Sequence, residues 1–317
     1  KSSDDSRALK EMLRNSRSPK TKNPLIRGPR YIRKSIGRIR VGGSKAFFDL
    51  IGEVSGLSFA LVLFPVVFLL RPVVLVRFGR MPSHRIGALA CAPEIFLSEK
   101  DQGMHPGRTL DLFFPDSECA NEQLMHMWRS TVRFAPLSRH FAILLRVLPG
   151  GEKHLVPRRP FEQRDTFGVL HKTRCHIAFT EEEETRGTEA LQGLGIPHGA
   201  PFVCFHARDP AYLQNRLSGD TLGFHAGRDS NIQNYLPAVE ELTRRGYYAL
   251  RMGAVVAEAL EIENSMIIDY ASIGRSDFLD VYLTAKCTFY LGSSAGIDRV
   301  PMTFRVPSLH VNYLMLE

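Results

Sequence analysis

From Phe202 onward the chain alternates short β-branched or aromatic runs with amphipathic stretches, and this alternation constrains its fold more than any other feature. Phe202–His206, Tyr247–Met252, Met266–Tyr270, Thr288–Leu291 and Ser308–Asn312 read as strands. Between them, Ile232–Arg245 and Ser276–Lys286 carry apolar residues at helical spacing, and Gly246 closes the first of these helices. Gly292–Gly296 reads as a Gly/Ser turn opening a further helix. Strand and helix alternating at this spacing predict an α/β fold with a parallel sheet of Rossmann type.

At 317 residues the chain is long for one core and natural for two domains. The upstream half carries a weaker version of the same pattern. Val73–Phe78 reads as a buried strand and Ile86–Leu97 as a helix that Pro93 is expected to break. Leu110–Phe114 is a short strand, and Asn121–Phe134 has helical spacing through Leu124, Met127, Trp128 and Val132. Phe141–Val147 and Cys175–Phe179 complete an alternation of strand and helix. Thr180 followed by Glu183 forms a capping box for a helix reaching Leu194.

The net charge of +8 is unevenly placed. Residues 1–45 hold 14 Lys/Arg against 3 Asp/Glu, leaving 27 against 30 of the chain's 41 and 33 for the rest. Basicity confined to an arm argues against a nucleic-acid groove across the fold and for contact with an anionic surface. Pro19, Pro24 and Pro29 predict that the arm is loosely structured. Behind it, Leu57–Leu70 is uncharged, short for a membrane span and interrupted by Pro65. A run of that length suits a buried core helix or an interfacial segment; placed after a basic block, it reads as a monotopic anchor. No small-residue cleavage site follows the run, and the arm is too long for the n-region of a secretory signal. Five scattered cysteines, none in a CxxC pair, suit free thiols in a reducing compartment and give no zinc signature. Lys1 in place of Met points to a trimmed or partial chain.

Ligands of open parallel sheets bind beyond the carboxyl ends of the strands, which makes strand ends the place to look for chemistry. His206-Ala-Arg208-Asp209 ends one strand, where a guanidinium can grip a phosphate or pair with Asp209 to brace a loop. Leu291-Gly-Ser293-Ser294-Ala-Gly296 offers backbone N–H groups and a helix N-terminus to a pyrophosphate, or is a plain tight turn. It is neither a Walker motif nor GxGxxG, so ATP and NAD are not indicated. Arg251 ends a strand and can aim a second cation at the same place. Asp269 and Tyr270, with Asp277 further on, are candidates to contact a base or ribose, although Asp277 equally suits an ordinary helix N-terminus. His225, in a loop with Arg228 and Asp229, is a candidate general base or phosphate ligand, or a solvated loop residue. No cluster has metal-ligand spacing and no cofactor is implied; a leaving diphosphate would instead be held by Arg and backbone N–H groups.

FHARDPAYL, HAGRD, IQNYLPAVEELTRRGY, RMG, IIDYA, RSDFLDVYLTAKCTFYLGSSAGID and VPSLHVN, in this order, resemble a family of bacterial glycosyltransferases associated with surface-polysaccharide synthesis. The resemblance covers about 179–312, and Arg71–Gly79 and Arg85-Ile-Gly87 are also similar. It implies a GT-B architecture: two Rossmann-like domains with parallel sheets, the second binding the nucleotide-sugar donor. The strand-end His-x-Arg and the Ser-Ser turn are also similar to fucosyltransferase-like enzymes. By that analogy His206 and Arg208 approach the donor diphosphate from one side, and Ser293, Ser294 and Gly296 from the other. Relatives are expected to carry His after Arg85-Ile-Gly87, where this chain has Ala88, and to continue well beyond Asn312.

The expected organisation is therefore a basic arm (1–48), an apolar membrane-associating helix (49–71), an acceptor-side domain (72–185) and a nucleotide-sugar domain (186–317), incomplete at its end. The expected activity is metal-independent transfer of a hexose or deoxyhexose from a nucleotide diphosphate sugar. The acceptor would be a glycan or lipid-linked molecule at the cytoplasmic face of the inner membrane, with residues 1–71 on its anionic surface. His225 and Asp229 are the candidate catalytic residues, with a residue of the N-terminal domain the alternative to His225 as base. The alternatives are a sugar-nucleotide epimerase, another GT-B-like transferase, or a non-catalytic membrane-bound sensor of nucleotide sugar or glycan.

Overall fold

The computed structural model describes residues 28–157, 164–211 and 229–312. They fall into two compact units, one holding the N-terminal helix with His140–Lys153, the other Leu70–Arg139 and the chain from His154 onward.

In the first unit, helix α1 runs unbroken over Gly28–Leu69, 42 residues. The second half of the basic arm is thus helical rather than loose. Pro29 does not oppose this, because it falls in the first turn, where a missing N–H has no intrahelical partner to lose. The apolar part of α1 spans Phe48–Leu69, 22 residues, and only 11% of its most apolar window is buried. That is longer than the uncharged run suggested, because small residues such as Gly52, Ser55 and Gly56 continue the helix upstream. By length and composition it can cross a membrane. A narrow stripe through Gly56, Ala60 and Val67 is buried. Gly56 lies against the His140 ring, which a Cβ at that position would meet at 2.5 Å. His140 belongs to helix α4 (Ser138–Leu145), so Phe141–Val147 is helix and turn.

The second unit holds two all-parallel sheets. The first contains β1 (Leu75–Met81), β2 (Thr109–Pro115) and β3 (Arg133–Phe134) side by side in chain order, with Leu75 opposite Thr109. Helix α2 (Ile86–Asp101) connects β1 to β2, and α3 (Glu122–Thr131) connects β2 to β3. Contrary to expectation, Pro93 does not break α2. The carbonyl it leaves without a helical donor, that of Leu89, instead accepts the Trp128 indole N–H from α3 at 2.8 Å. Asn121 caps α3 by accepting the Leu124 N–H at 2.9 Å.

Helix α5 (Glu181–Gly193) begins with the capping box of Thr180 and Glu183, while Cys175–Phe179 forms no strand. The second sheet follows with β4 (Phe202–His206), β5 (Tyr248–Arg251), β6 (Ile267–Ile268), β7 (Tyr290–Gly292) and β8 (Ser308–His310), ordered β6-β5-β4-β7-β8. Helices α6 (Leu236–Arg244, entered through a 3₁₀ turn at Ile232–Tyr235), α7 (Asp277–Lys286) and α8 (Arg299–Thr303) complete the alternation. Strand β4 shows why it must be central. Cys204 packs with Leu250, Leu283 and Tyr290 on one face, while Val203 and Phe205 pack with Tyr235, Val239 and Leu291 on the other. Alternate side chains are therefore buried on both sides, which requires helices over both faces. The chain is α/β with parallel sheets behind an apolar helix, as its alternation predicted.

Contacts at their carboxyl ends tie the sheets together. The Asp277 carboxylate accepts the Glu122 N–H at 2.8 Å, so the first residue of α7 caps α3. Gly87, in the first turn of α2, meets Gly296 so closely that a Cβ on it would lie 2.8 Å from the Gly296 carbonyl oxygen.

Candidate functional site

In the five-stranded sheet the chain runs outward from β4 to β5 and β6, then returns to β7 and β8 on the other flank. The order reverses between β4 and β7, and the crevice beyond their carboxyl ends is where such sheets bind ligands. The two ends are held together by the backbone. The Ser293 N–H donates to the His206 carbonyl at 3.2 Å, and the Arg208 N–H donates to the Ser293 hydroxyl at 2.8 Å. Gly292 is needed for this approach, since a Cβ on it would sit 3.0 Å from the His206 carbonyl oxygen and 2.7 Å from the Tyr290 ring.

Ser293 is therefore buried, with its hydroxyl turned toward the chain after β4, whereas Ser294 is half-exposed and Gly296 exposed. Contrary to expectation, the turn does not lead straight into a helix. Helix α8 starts only at Arg299 and is five residues long, too short for a substantial dipole at the turn. Whatever the turn offers an anion comes from its hydroxyl and its N–H groups.

Arg208 is 9% exposed, and its Nε lies 3.3 Å from Asp229 Oδ1. Asp209 is turned aside: its two carboxylate oxygens accept the Ala211 and Ala257 N–H groups, each at 2.8 Å, bracing the loop after β5. His206 lies buried at the end of β4. Burial first, then the positive charge of Arg251, lowers its pKa to about 4, with Arg208 adding to the effect and Asp209 opposing it. The imidazole is thus neutral near pH 7. Among the described residues its Nδ1 has no hydrogen-bond partner.

The other sequence candidates form two neighbouring groups. Arg251, buried at the end of β5, donates to the Glu258 carbonyl at 2.7 Å and reaches Asp269 Oδ2 at 3.3 Å. Asp269 Oδ2 also accepts the Leu260 N–H and the Ser272 hydroxyl, each at 2.8 Å. These two residues shape the loop joining β5 to β6. Tyr270 is fully buried; its hydroxyl donates to Asp280 at 3.0 Å and accepts the Ser276 N–H at 2.9 Å. Asp277 faces α3 and Arg275. His225 lies outside the described residues. Among the described residues, no three His, Cys, Asp or Glu side chains are grouped to hold a metal ion.

A third group was not anticipated. Arg80 near the end of β1, His84 in the loop that follows, and Asp116 just after β2 meet beyond the carboxyl edge of the first sheet. His84 Nδ1 lies 2.7 Å from Asp116 Oδ2, and Arg80 donates to both carboxylate oxygens, at 2.7 Å to Oδ2. The hydrogen bonds and charges of Arg80 and His84 outweigh burial and hold the Asp116 carboxyl below its ordinary value. Ser83 fixes the arrangement: its hydroxyl donates to the Glu118 carbonyl at 2.7 Å and accepts the Asp116 N–H at 3.0 Å. The strand-end rule that singled out Arg208 applies equally to Arg80 and Asp116 and would have found them. Ala88, where relatives were expected to carry His, is buried inside α2.

No protein-family model matches the chain, and no curated protein does. Among solved structures, the E. coli ADP-heptose LPS heptosyltransferase II is similar at 11% identity and a TM-score of 0.44, over 74% of this chain and 84% of that one. A glycosyl transferase family 9 protein from Veillonella parvula is similar at 11% identity and 0.43, over 74% and 80%. The E. coli heptosyltransferase WaaC, with ADP-2-deoxy-2-fluoro heptose, is similar at 9% and 0.33, over 73% and 87%. At these identities and scores the likenesses carry no argument about chemistry.

Proposed function

We propose that the chain binds a nucleoside diphosphate sugar at the β4–β7 switch point and transfers the sugar to a glycan or lipid-linked acceptor in bacterial surface-polysaccharide synthesis. The observation that carries this reading is the meeting of the chain after β4 with the turn after β7, where the Arg208 N–H donates to the Ser293 hydroxyl at the point of strand-order reversal. A diphosphate entering there exchanges with Asp229 for the Arg208 guanidinium, a planar fork suited to two phosphate oxygens. Ser294 and the N–H groups of the turn then take the remaining oxygens. The neutral His206 can donate one hydrogen bond without adding a second charge to be buried. Arg251 and Asp269 support the reading by holding the β5–β6 loop in place, and Tyr270 and Asp277 by fixing the start of α7. Stabilisation of the departing diphosphate falls to Arg208 and these dipoles, with no metal ion required.

The apolar face of Phe48–Leu69 and the basic residues before it support an association with an anionic membrane, at the cytoplasmic face of the inner membrane. An acceptor anchored in lipid would be met there.

The test is calorimetric. A thermal-shift screen of common nucleotide sugars identifies the donor, and its affinity is then compared between wild type and Arg208→Ala. Binding that disappears in the variant is expected; a variant that binds the donor as tightly as wild type overturns the assignment.

A further inference from the structure

We propose that His84, held by Asp116, is the general base that takes the proton from the acceptor hydroxyl; this rests on the transferase reading above. The geometry identifies it before any chemistry is assumed. An imidazole facing a carboxylate at 2.7 Å places its Nδ1–H on that carboxylate. The alternative tautomer would put a bare Nδ1 against an anion, with only a 3.4 Å contact to Arg80 in return. The Nδ1–H tautomer leaves the lone pair on Nε2. The His84 side chain is 40% exposed, while its partners Asp116 and Ser83 are more covered, so the dyad presents its imidazole rather than its carboxylate to solvent. A carboxylate that stays ionised, as Arg80 ensures for Asp116, stabilises the imidazolium formed when Nε2 takes up a proton.

Placement supplies the second argument. The carboxyl edge of the first sheet faces that of the second through the close approach of Gly87 to Gly296. His84 is three residues before Gly87, a reach of at most about 11 Å. Gly296 is two residues after Ser294, at the rim of the proposed diphosphate site. In this proposal the sugar of a donor seated on Arg208 and Ser294 lies on the side of the loop that carries His84.

The step balances without another reactant. The acceptor O–H proton passes to His84 Nε2 as its oxygen bonds to the anomeric carbon. The bond from that carbon to the diphosphate oxygen breaks, its electron pair leaving with the diphosphate. One such displacement inverts the anomeric centre. Asp116 is a positioning residue, setting the tautomer, and Arg80 keeps it charged.

The experiment measures donor affinity and acceptor-dependent transfer on the same full-length preparations of wild type, His84→Gln, His84→Ala and the double variant His84→Ala/Asp116→Asn. Expected are an unchanged donor Kd in His84→Gln, which also certifies its fold, and transfer slowed about 100-fold to 10,000-fold. Added imidazole is expected to restore part of the rate to His84→Ala but not to the double variant, a difference that a merely structural Asp116 would not produce. The product should show an inverted anomeric configuration by NMR. Wild-type transfer by His84→Gln, or a retained configuration, overturns the dyad and leaves the transferase reading standing. A wild-type protein that binds no nucleotide sugar overturns both.

Discussion

The indole N–H of Trp128 donates to the carbonyl oxygen of Leu89 at 2.8 Å, and Leu89 is the residue whose helical donor would have come from Pro93. A proline in the third turn of α2 would ordinarily leave that carbonyl unpaired, or bend the helix away from it. Here a side chain from α3 supplies the missing donor. The helix continues to Asp101, and the core between the two helices closes around Leu89, Leu124, Met125 and Trp128.

Trp128→Phe should accordingly destabilise the protein by about 1–3 kcal/mol through the orphaned carbonyl, in addition to its packing loss. Adding Pro93→Ala returns a backbone N–H to Leu89. The two substitutions should therefore be non-additive, with Pro93→Ala more favourable in the Trp128→Phe background than in wild type. Urea unfolding of the four proteins in this cycle measures the coupling. An additive cycle would mean that the indole contributes through packing alone.

His176 provides a pH-dependent link between α2 and the segment that precedes α5. Its Nδ1 lies 3.1 Å from the buried Glu94 and its Nε2 3.0 Å from Asp101, while Arg305 also reaches Glu94 at 2.6 Å. The hydrogen bond to Glu94 is the largest cause of its raised pKa; burial opposes it, and Asp101 adds to it. A histidine whose folded pKa exceeds the unfolded value contributes stability that is complete below about 6.5 and is lost as pH rises through the folded value. The stability difference between wild type and His176→Gln should therefore be larger at pH 6 than at pH 8.5, by urea unfolding at each pH. A difference that is flat or grows with pH would contradict the ion-pair role.

How much of this could be read in the sequence depended on distance along the chain. The capping box of Thr180 and Glu183, the helix entry at Ser276 and the strand ending at His206 rest on neighbours a few residues apart, and all three were legible. Pro93 misled because its compensation comes from Trp128, on another helix. From Gly28 onward the arm is helical although Pro29 signals a break, because that proline falls in the first turn, where its missing N–H costs no intrahelical bond. The pairing of His84 with Asp116 spans 32 residues, and that of Asp277 with Glu122 spans 155. Pairs of this kind emerge only once parallel strands bring their carboxyl ends to one edge. The Gly/Ser turn was legible as a turn; that Ser293 faces inward and Ser294 outward was not.

That last difference separates the two serines experimentally. Ser293→Ala leaves the buried Arg208 N–H without its acceptor, which should cost about 1–3 kcal/mol and loosen the end of β4. Donor affinity should fall with stability. Ser294→Ala removes a half-exposed hydroxyl and should stay within about 0.5 kcal/mol of wild-type stability while still weakening the donor. Thermal unfolding and donor titration on both variants decide this, and equal stability losses would mean that the inward–outward assignment is wrong.

The apolar helix makes a prediction that does not depend on the enzymatic reading. Phe59 and Val62 are 64% and 74% exposed, so charging them removes little packing within the protein. In a bilayer each charge near a helix centre costs about 2.5–3.5 kcal/mol on the insertion scale. Wild-type protein should float with vesicles containing anionic lipid. It should remain bound at about 1 M salt, where the Debye length is about 3 Å and attraction by the basic arm is screened. Phe59→Asp/Val62→Asp should keep the wild-type circular dichroism and sediment away from vesicles at high salt, with weak flotation surviving only at low salt through the arm. Equal flotation of the two proteins at high salt would show that this face of α1 does not enter the lipid.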